Sequence, residues 1–231
     1  MNLDNIKIAV FDMAGTTIDE GHTVYQSVAE ALAEVGIDIS VEEVFQQIGG
    51  MNKVDGIQQL INKAKPDNQD VFKITIDAFL RILGEKYTQP GVVKEMEGAS
   101  LLFAQLQEKG IIVALDTGYT RDIAQMLLEI VGWNEQSLVD FMIASEEVES
   151  GRPSPLMIHK IMDQFDVSDP SEVIKIGDTK ADIEEGINAN CRYIVGVASS
   201  SYSAADLLGF GATHVVGNLT EMLEQVNLSA S

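Results

Sequence analysis

Polar side chains of three types, carboxyl, hydroxyl and guanidinium, follow four short apolar runs of this 231-residue chain. In chain order they are Asp12, Thr117, Arg152 and the pair Asp178 and Asp182. Carboxylates are the hard oxygen ligands that Mg²⁺ prefers, and a hydroxyl beside a helix N-terminus can hold phosphate oxygens. A guanidinium neutralises the charge of a phosphoryl group in transfer. If these side chains lie together, they can perform phosphoryl chemistry around a magnesium ion.

The apolar runs themselves predict the elements that would bring these side chains together. Short apolar runs that end abruptly in polar turns are typical of buried strands in a parallel sheet. The runs cover residues 8–11, 111–115, 141–144, 173–176, 193–197 and 213–216. Helical periodicity separates them, so we predict an α/β fold with a doubly wound parallel sheet. The turns at the carboxyl ends of such strands share one edge of the sheet, where the polar side chains can converge.

One long helical block interrupts this alternation directly after the first strand. Residues 18–90 show helical periodicity and no convincing strand, which predicts a small all-helical cap domain. The remaining residues, 1–17 and 91–231, would form a Rossmann-like core. An insertion that leaves the carboxyl end of the Asp12 strand would lie over the site as a lid.

Composition restricts the partners. Lys and Arg total 15 against 36 Asp and Glu, a formal net charge of −21, which argues against binding to nucleic acid or to anionic membranes. We therefore expect a small-molecule partner. The single cysteine, Cys191, excludes an intramolecular disulfide. With neither a signal-peptide pattern nor a membrane-length apolar run, the expected location is cytoplasmic. Apolar residues left over near Ile74 make a homodimer one further expectation.

Taken in order, these motifs resemble the haloacid dehalogenase-like phosphohydrolase superfamily over essentially the whole chain. The resemblance implies that Asp12 is a nucleophile that becomes an aspartyl-phosphate. It places Thr117 and Arg152 in catalysis as phosphate contacts, with Gly118 and Tyr119 beside the substrate. It also implies a Mg²⁺ site, whose ligands would be Asp12, the backbone carbonyl of Ala14, Asp178 and Asp182.

Ala14 stands where most phosphatases of this superfamily have a second aspartate that acts as general acid and base. The segments 11–19, 117–121 and 151–153 look like the phosphonatase branch, which also has alanine there. In that branch a cap lysine forms a Schiff base with the substrate aldehyde, and the imine accepts electrons when the C–P bond breaks. Lys53 matches that lysine, and desolvation under a closed lid would favour its neutral form.

Gly56 departs from the phosphonatase pattern, which has a histidine of the proton-relay network three residues after the lysine. The sequence is therefore compatible with three functions. The first is hydrolysis of a small phosphonate such as phosphonoacetaldehyde, with Lys53 as the imine-forming amine. The second is hydrolysis of a small phosphorylated metabolite, as in phosphoglycolate phosphatases, and the third is non-catalytic binding of phosphate or a partner. A lysine at a helix start is usually solvated, so burial of Lys53 would favour the first.

Overall fold

A computed structural model describes residues 1–64, 69–133, 137–199 and 201–228. Its strands, in chain order, are β1 (Ile8–Asp12), β2 (Ile18–Asp19), β3 (Lys94–Glu95), β4 (Ile112–Thr117), β5 (Phe141–Ala144), β6 (Val173–Gly177), β7 (Tyr193–Val197) and β8 (His214–Val216). Six of these form one parallel sheet in the order β5-β4-β1-β6-β7-β8. The predicted doubly wound α/β fold is confirmed.

The helices of the described ranges separate most of these strands. They are α1 (Thr23–Glu34), α2 (Val41–Ile48), α3 (Lys53–Ala64), α4 (Gln69–Tyr87), α5 (Ala99–Glu108), α6 (Arg121–Val131), α7 (Leu156–Gln164), α8 (Lys180–Asn188), α9 (Ala204–Phe210) and α10 (Leu219–Leu228). Four consecutive helices, α1 to α4, lie between β2 and β3 and pack on one another. No helix in these ranges is long and apolar enough to cross a membrane.

Strand β1 lies in the middle of the sheet, which explains its unbroken apolar run. Every residue of β1 is buried, and alternate side chains enter the apolar clusters on opposite faces. Phe11 packs on one face and Val10 on the other. The register of β1 with β4 pairs Asp12 with Asp116, so two acidic residues stand side by side at the carboxyl edge.

Strand β4 extends further than its apolar run predicts. The run ends at Leu115, but the strand continues through Asp116 and Thr117, both of which are buried. Thr117 is therefore the last residue of a strand and does not lie in the turn. The polar residues remain in the sheet because buried cations neutralise Asp116, as described below.

The expectation that residues 18–90 contain no strand is wrong for the first two of these residues. Ile18–Asp19 pairs antiparallel with Lys94–Glu95, so the two chain segments that lead into and out of the four helices run side by side. A ribbon of two residue pairs is too short to produce a period-2 pattern. The exposed side chains of Asp19 and Lys94 form an ion pair of 3.1 Å across it.

Helices α2 and α3 approach each other closely at Gly56. A Cβ atom added at Gly56 would lie 2.8 Å from Cβ of Ile48, a buried residue at the end of α2. Real Cβ atoms almost never come this close, and the contacted atom is adjacent to the backbone and cannot swing away. The position therefore has no room for a larger side chain, and this includes the histidine of the phosphonatase pattern.

We expect Gly56→Ala to lower the free energy of unfolding by about 1–3 kcal/mol, because overpacking against Ile48 outweighs the gain in helix propensity. The matched control is Gly84→Ala in α4, where an added Cβ meets nothing within 4 Å. That variant should gain roughly 0.5–1 kcal/mol from helix propensity alone. Urea denaturation of the two variants measures both effects. Equal stabilisation by both substitutions would show that α2 and α3 separate easily.

Candidate active site

Asp12 lies at the carboxyl end of β1 and is almost fully buried. Its Oδ1 atom is 2.5 Å from Nη1 of Arg152, and the same nitrogen is 2.9 Å from Oδ1 of Asp182. The Nη2 group of Arg152 contacts both the side chain and the backbone carbonyl of Asp116. Burial raises the pKa of Asp12 to about 6, although the adjacent guanidinium opposes the shift. The sequence prediction that Asp12 and Arg152 converge is thus met by direct contact.

Behind this pair lies a second cation, Lys175, which is completely buried. Its Nζ atom is 2.6 Å from Oδ2 of Asp116 and 2.8 Å from Oε2 of Glu185. The Nε group of Arg152 lies 3.2 Å from the same oxygen of Glu185. Burial raises the pKa of Asp116, but Arg152 and Lys175 outweigh it and hold that pKa below its usual value. Arg152 and Lys175 thus hold the carboxylates that surround Asp12.

Lys175 and Glu185 are not among the predicted site residues, although each leaves a signal in the sequence. Lys175 interrupts the run Val173–Gly177, and a lysine inside the apolar run of a central strand implies a buried ion pair. Glu185 follows Asp182 by three residues in α8, so both carboxylates occupy one helical face. Their function here is to neutralise and orient Arg152 and Asp116.

Lys175→Met should destabilise the protein by about 3–5 kcal/mol, because it leaves the buried carboxylates of Asp116 and Glu185 without their shared cation. Lys180→Met is the control, since Lys180 is exposed and pairs with Glu184 at 3.4 Å on the surface of α8. The control should leave the unfolding midpoint in urea nearly unchanged. A loss below about 1 kcal/mol in Lys175→Met would indicate that water or Arg152 replaces the missing charge.

Three carboxylates of the described residues could by their spacing hold a metal ion. Ligand atoms of Asp12, Asp116 and Asp182 all lie within 4.8 Å of one another. However, Arg152 and Lys175 already neutralise this cluster. Oδ2 of Asp182 is further engaged by the hydroxyl of Thr179 at 2.5 Å, as part of the capping box of α8. The predicted ligand Asp182 is therefore bound to protein groups in this structure.

Asp178 presents the carboxylate that lacks such a cation. It is buried, and its Oδ1 atom accepts a hydrogen bond from the hydroxyl of Thr16 at 3.0 Å. Burial and the charge of Asp12 raise its pKa well above the usual value, so the two carboxylates repel each other. A Cβ atom at Gly15 would lie 2.7 Å from Oδ2 of Asp178, so this carboxylate packs directly against the backbone of the turn after β1. Hard oxygen donors with excess negative charge fit a divalent cation such as Mg²⁺.

Lys53 is the first residue of α3 and is buried, with 5% of its surface exposed. Its Nζ atom donates to the carbonyl of Met51 at 2.8 Å and lies 5.2 Å and 5.7 Å from the ring centres of Tyr25 and Tyr119. Burial lowers the pKa of Lys53 to about 8, against the opposing attraction of Asp12. Lys53 and Asp12 line the same small cavity of about 20 Å³. The lysine therefore lies in the same buried space as Asp12, away from bulk solvent.

The loop before Lys53 contacts the ends of the core strands directly. Gly50 has φ +74°, and a Cβ there would be 2.7 Å from the hydroxyl of Thr179. A Cβ at Gly118 would be 2.6 Å from the carbonyl of Met51, which confirms the expected close backbone approach at Gly118. Nδ2 of Asn52 donates to the hydroxyl of Ser145 at 2.7 Å. These contacts position Lys53 opposite β1.

The other predicted site residues occupy the same region. Thr117 is buried, and its Oγ1 accepts from the backbone N–H of Tyr119 at 3.1 Å. Tyr119 is buried, with its hydroxyl 3.2 Å from that of Tyr87 in α4, and it also lines the small cavity. The wall of the small cavity consists of Asp12, Ala14, Tyr25, Gly50, Lys53, Thr117, Gly118, Tyr119, Arg152 and Thr179. Candidate nucleophile, phosphate contacts and amine thus surround one space.

Comparison with known proteins gives consistent results. The model of the family described as haloacid dehalogenase-like hydrolase matches residues 9–196. A phosphonoacetaldehyde hydrolase of Bacillus mycoides is 31% identical over 209 residues, which cover 85% of this chain and 77% of the relative. A bifunctional phosphonoacetaldehyde hydrolase/aminoethylphosphonate transaminase of Clostridioides difficile is 30% identical, and the match spans 86% of this chain but only 32% of that longer protein.

A solved structure shares the fold across nearly the whole chain. It is a phosphonoacetaldehyde hydrolase-like protein from Oleispira antarctica, with a TM-score of 0.80, 22% identity and coverage of 99% of this chain and 94% of that one. At this identity the likeness concerns the fold. Together with the family match and the relatives at about 30% identity, it confirms the resemblance first seen in the motifs. The chain belongs to the haloacid dehalogenase-like hydrolase family, an enzyme family, in its phosphonatase-like branch.

Proposed function

We propose that this enzyme is a Mg²⁺-dependent hydrolase that cleaves the C–P bond of a small phosphonate with an aldehyde group, phosphonoacetaldehyde or a close analogue. The observation that carries the proposal is the burial of Lys53 in one cavity with Asp12. A solvated lysine has almost no neutral amine near pH 7, whereas burial lowers the pKa of Lys53 to about 8. The similarity to phosphonoacetaldehyde hydrolases supports the same substrate class.

Asp12 and Arg152 would act on the phosphoryl group. The carboxylate of Asp12 attacks phosphorus in line, while Arg152 and the hydroxyl of Thr117 stabilise the charge on the equatorial oxygens. Asp12, Asp178 and the carbonyl of Ala14 would hold Mg²⁺, with Asp182 supporting them. A bound Mg²⁺ supplies further neutralisation of phosphoryl charge. Water then hydrolyses the aspartyl-phosphate and restores Asp12.

Lys53 would act on the aldehyde carbon of the substrate. Its neutral amine adds to the carbonyl, and loss of water gives an imine. When the C–P bond breaks, its electron pair moves toward the imine nitrogen, which leaves an enamine on Lys53 and the phosphoryl group on Asp12. Protonation of the enamine carbon and hydrolysis of the imine release acetaldehyde from phosphonoacetaldehyde. In this mechanism the leaving group departs as an enamine, so an acid at position 14 is not required.

These roles belong to two different parts of the chain. We propose residues 18–90 as a helical cap and residues 1–17 and 91–231 as the catalytic core. Lys53 comes from the cap, and the phosphate contacts come from the core. The contacts of Gly50 and Asn52 with the core correspond to a closed arrangement, in which Lys53 is desolvated. A homodimer through the exposed side of α4 near Ile74 remains a prediction.

The test is to offer the protein phosphonoacetaldehyde with Mg²⁺ and to measure phosphate and acetaldehyde together. Sodium borohydride added during turnover should reduce the imine and leave a covalent adduct on Lys53, which peptide mass spectrometry locates. Chelation of the metal with EDTA should abolish phosphate release, and added Mg²⁺ should restore it. The competing function is a phosphomonoesterase. Release of phosphate from esters such as phosphoglycolate, without phosphonate cleavage or a Lys53 adduct, would favour that function and reject ours.

A further inference from the structure

Two cavities meet at the candidate active site. The inner cavity, of about 20 Å³, has Asp12, Lys53 and Tyr119 in its wall. The outer cavity, of about 330 Å³, has Glu20 in its wall. The residues common to both walls are Ala14, Tyr25 and Thr179. A proton exchanged between the inner cavity and the water of the outer one therefore needs a route past these shared residues.

A continuous chain of hydrogen bonds connects the two walls. The hydroxyl oxygens of Tyr119 and Tyr87 are 3.2 Å apart. The hydroxyl of Tyr87 donates to Oε2 of Glu20 at 3.1 Å, and the backbone N–H of Val24 donates to the same oxygen at 2.8 Å. The three residues that form these hydrogen bonds are buried, with exposed fractions of 2% for Tyr119, 2% for Tyr87 and 4% for Glu20. Tyr87 itself lines neither cavity, so it serves only as the link.

The charges around the chain suit proton transfer. Burial raises the pKa of Glu20, so this carboxyl holds a proton closer to neutral pH than an ordinary glutamate does. Burial also raises the pKa of both tyrosines well above the usual value, so their hydroxyls stay protonated and can pass a proton on. Gly56, where the phosphonatase pattern has its relay histidine, offers no side chain, and Ile48 leaves no room for one.

We propose that Glu20, Tyr87 and Tyr119 form a proton relay that serves Lys53 from the outer cavity. The proposal rests on the proposed function, because it is the imine chemistry of Lys53 that consumes and returns protons. During imine formation, the hydroxyl group of the carbinolamine leaves as water and needs one proton. Tyr119 donates it while the C–O bond breaks and the C=N bond forms. The hydroxyl of Tyr87 turns from Glu20 to Tyr119 and gives Tyr119 its proton, and Tyr87 then takes the proton of the protonated Glu20 carboxyl. Glu20 is reprotonated from water in the outer cavity.

In this arrangement Glu20 and Tyr87 are positioning residues that act through Tyr119. The test measures imine formation alone, with acetaldehyde as the probe. The full-length protein is mixed with acetaldehyde, quenched with borohydride after increasing times, and the reduced adduct on Lys53 is quantified by mass spectrometry. The variants are Tyr87→Phe, which removes one oxygen atom from the relay, and Glu20→Gln. Tyr193→Phe is the matched control, since Tyr193 lies on β7 and its hydroxyl accepts from the backbone N–H of Asn2 at 3.3 Å, away from the site.

We expect the initial rate of adduct formation to fall by about 10- to 100-fold in Tyr87→Phe and in Glu20→Gln, and to stay within about 2-fold in the control. The final amount of adduct should change little, because a relay alters the rate of an equilibrium and not its position. A purely structural effect of the substitutions would instead change the final amount.

An unchanged initial rate in Tyr87→Phe would overturn the relay, as would the absence of any adduct on Lys53 of the unmodified protein. The same measurements distinguish failure of the relay from failure of the proposed function. If the imine forms on Lys53 at a relay-dependent rate but no phosphonate is cleaved, the relay stands and the proposed substrate class fails. If phosphonate is cleaved while all variants form the imine equally fast, the function stands and the relay fails.

Discussion

Asp12→Asn is expected to lower the turnover of any phosphonate or phosphate ester by at least about 10⁴-fold, because the amide cannot attack phosphorus and form an acyl-phosphate. The substitution is nearly isosteric, and Asp12 is held by Arg152 in a rigid, buried cluster. The Michaelis constant should change less than the turnover number, since Arg152 and Thr117 remain to hold the phosphoryl group. Phosphate release in the steady state measures the first quantity and substrate titration the second.

A matched substitution separates the nucleophile from general effects of charge. Asp163→Asn removes one carboxylate from the exposed surface of α7 and should leave turnover unchanged. Circular dichroism of both variants should show an intact fold, because asparagine can still accept a hydrogen bond from Arg152. If Asp12→Asn kept more than about a tenth of the activity, hydrolysis would not proceed through Asp12, and a water molecule activated elsewhere in the cluster would have to attack directly.

Lys53→Met should abolish phosphonate cleavage, with a loss of at least about 10³-fold, and with it the borohydride-trapped adduct. Lys53→Arg should lose as much, because arginine keeps the charge but has no amine that becomes neutral near pH 7. Hydrolysis of p-nitrophenyl phosphate should fall far less in both variants, since its leaving group requires no imine. The control is Lys63→Met, at an exposed lysine of the same helix α3 that donates to Gln47 at 2.8 Å.

The pH dependence of imine formation follows from the burial of Lys53. Burial lowers its pKa from 10.5 to about 8, so roughly a tenth of the amine is neutral at pH 7, compared with about 0.03% for a solvated lysine. The rate at which Lys53 attacks the aldehyde should therefore rise about 10-fold per pH unit below pH 8 and level off above it. A rate that kept rising beyond pH 10 would show that Lys53 is solvated in the reactive state.

The sequence predicts the sheet and the convergence of its polar turns because strands buried on both faces leave unbroken apolar runs. Asp12, Thr117 and Asp178 could be found since each follows such a run. The roles of Lys175 and Glu185 are harder to predict, because both depend on ion pairs formed in the folded protein, including the pair of Lys175 with Asp116. An ion pair between residues far apart in the sequence leaves no periodic pattern. The aromatic surroundings of Lys53 were equally hidden, since Tyr25 and Tyr119 come from segments far apart in the sequence.

The hydrogen bond between Glu20 and Tyr87 could not be predicted from the sequence for the same reason. Glu20 lies just outside β2, in a turn whose acidic residue looks like an ordinary N-terminal helix acid, and its link to Tyr87 spans 67 positions of the chain. Only the packing of α1 against α4 brings the two together. Sequence patterns show which face of a helix or strand is apolar. They do not show how two such elements are oriented to each other, and a hydrogen bond between them depends on that orientation.

The contact between Gly56 and Ile48 also has an evolutionary consequence. Because α2 and α3 touch at these two positions, substitutions there cannot be accepted independently. Homologous sequences that have a histidine three residues after the lysine must carry a small residue, or one that bends the end of α2, at the position of Ile48. The two positions should therefore covary across the family.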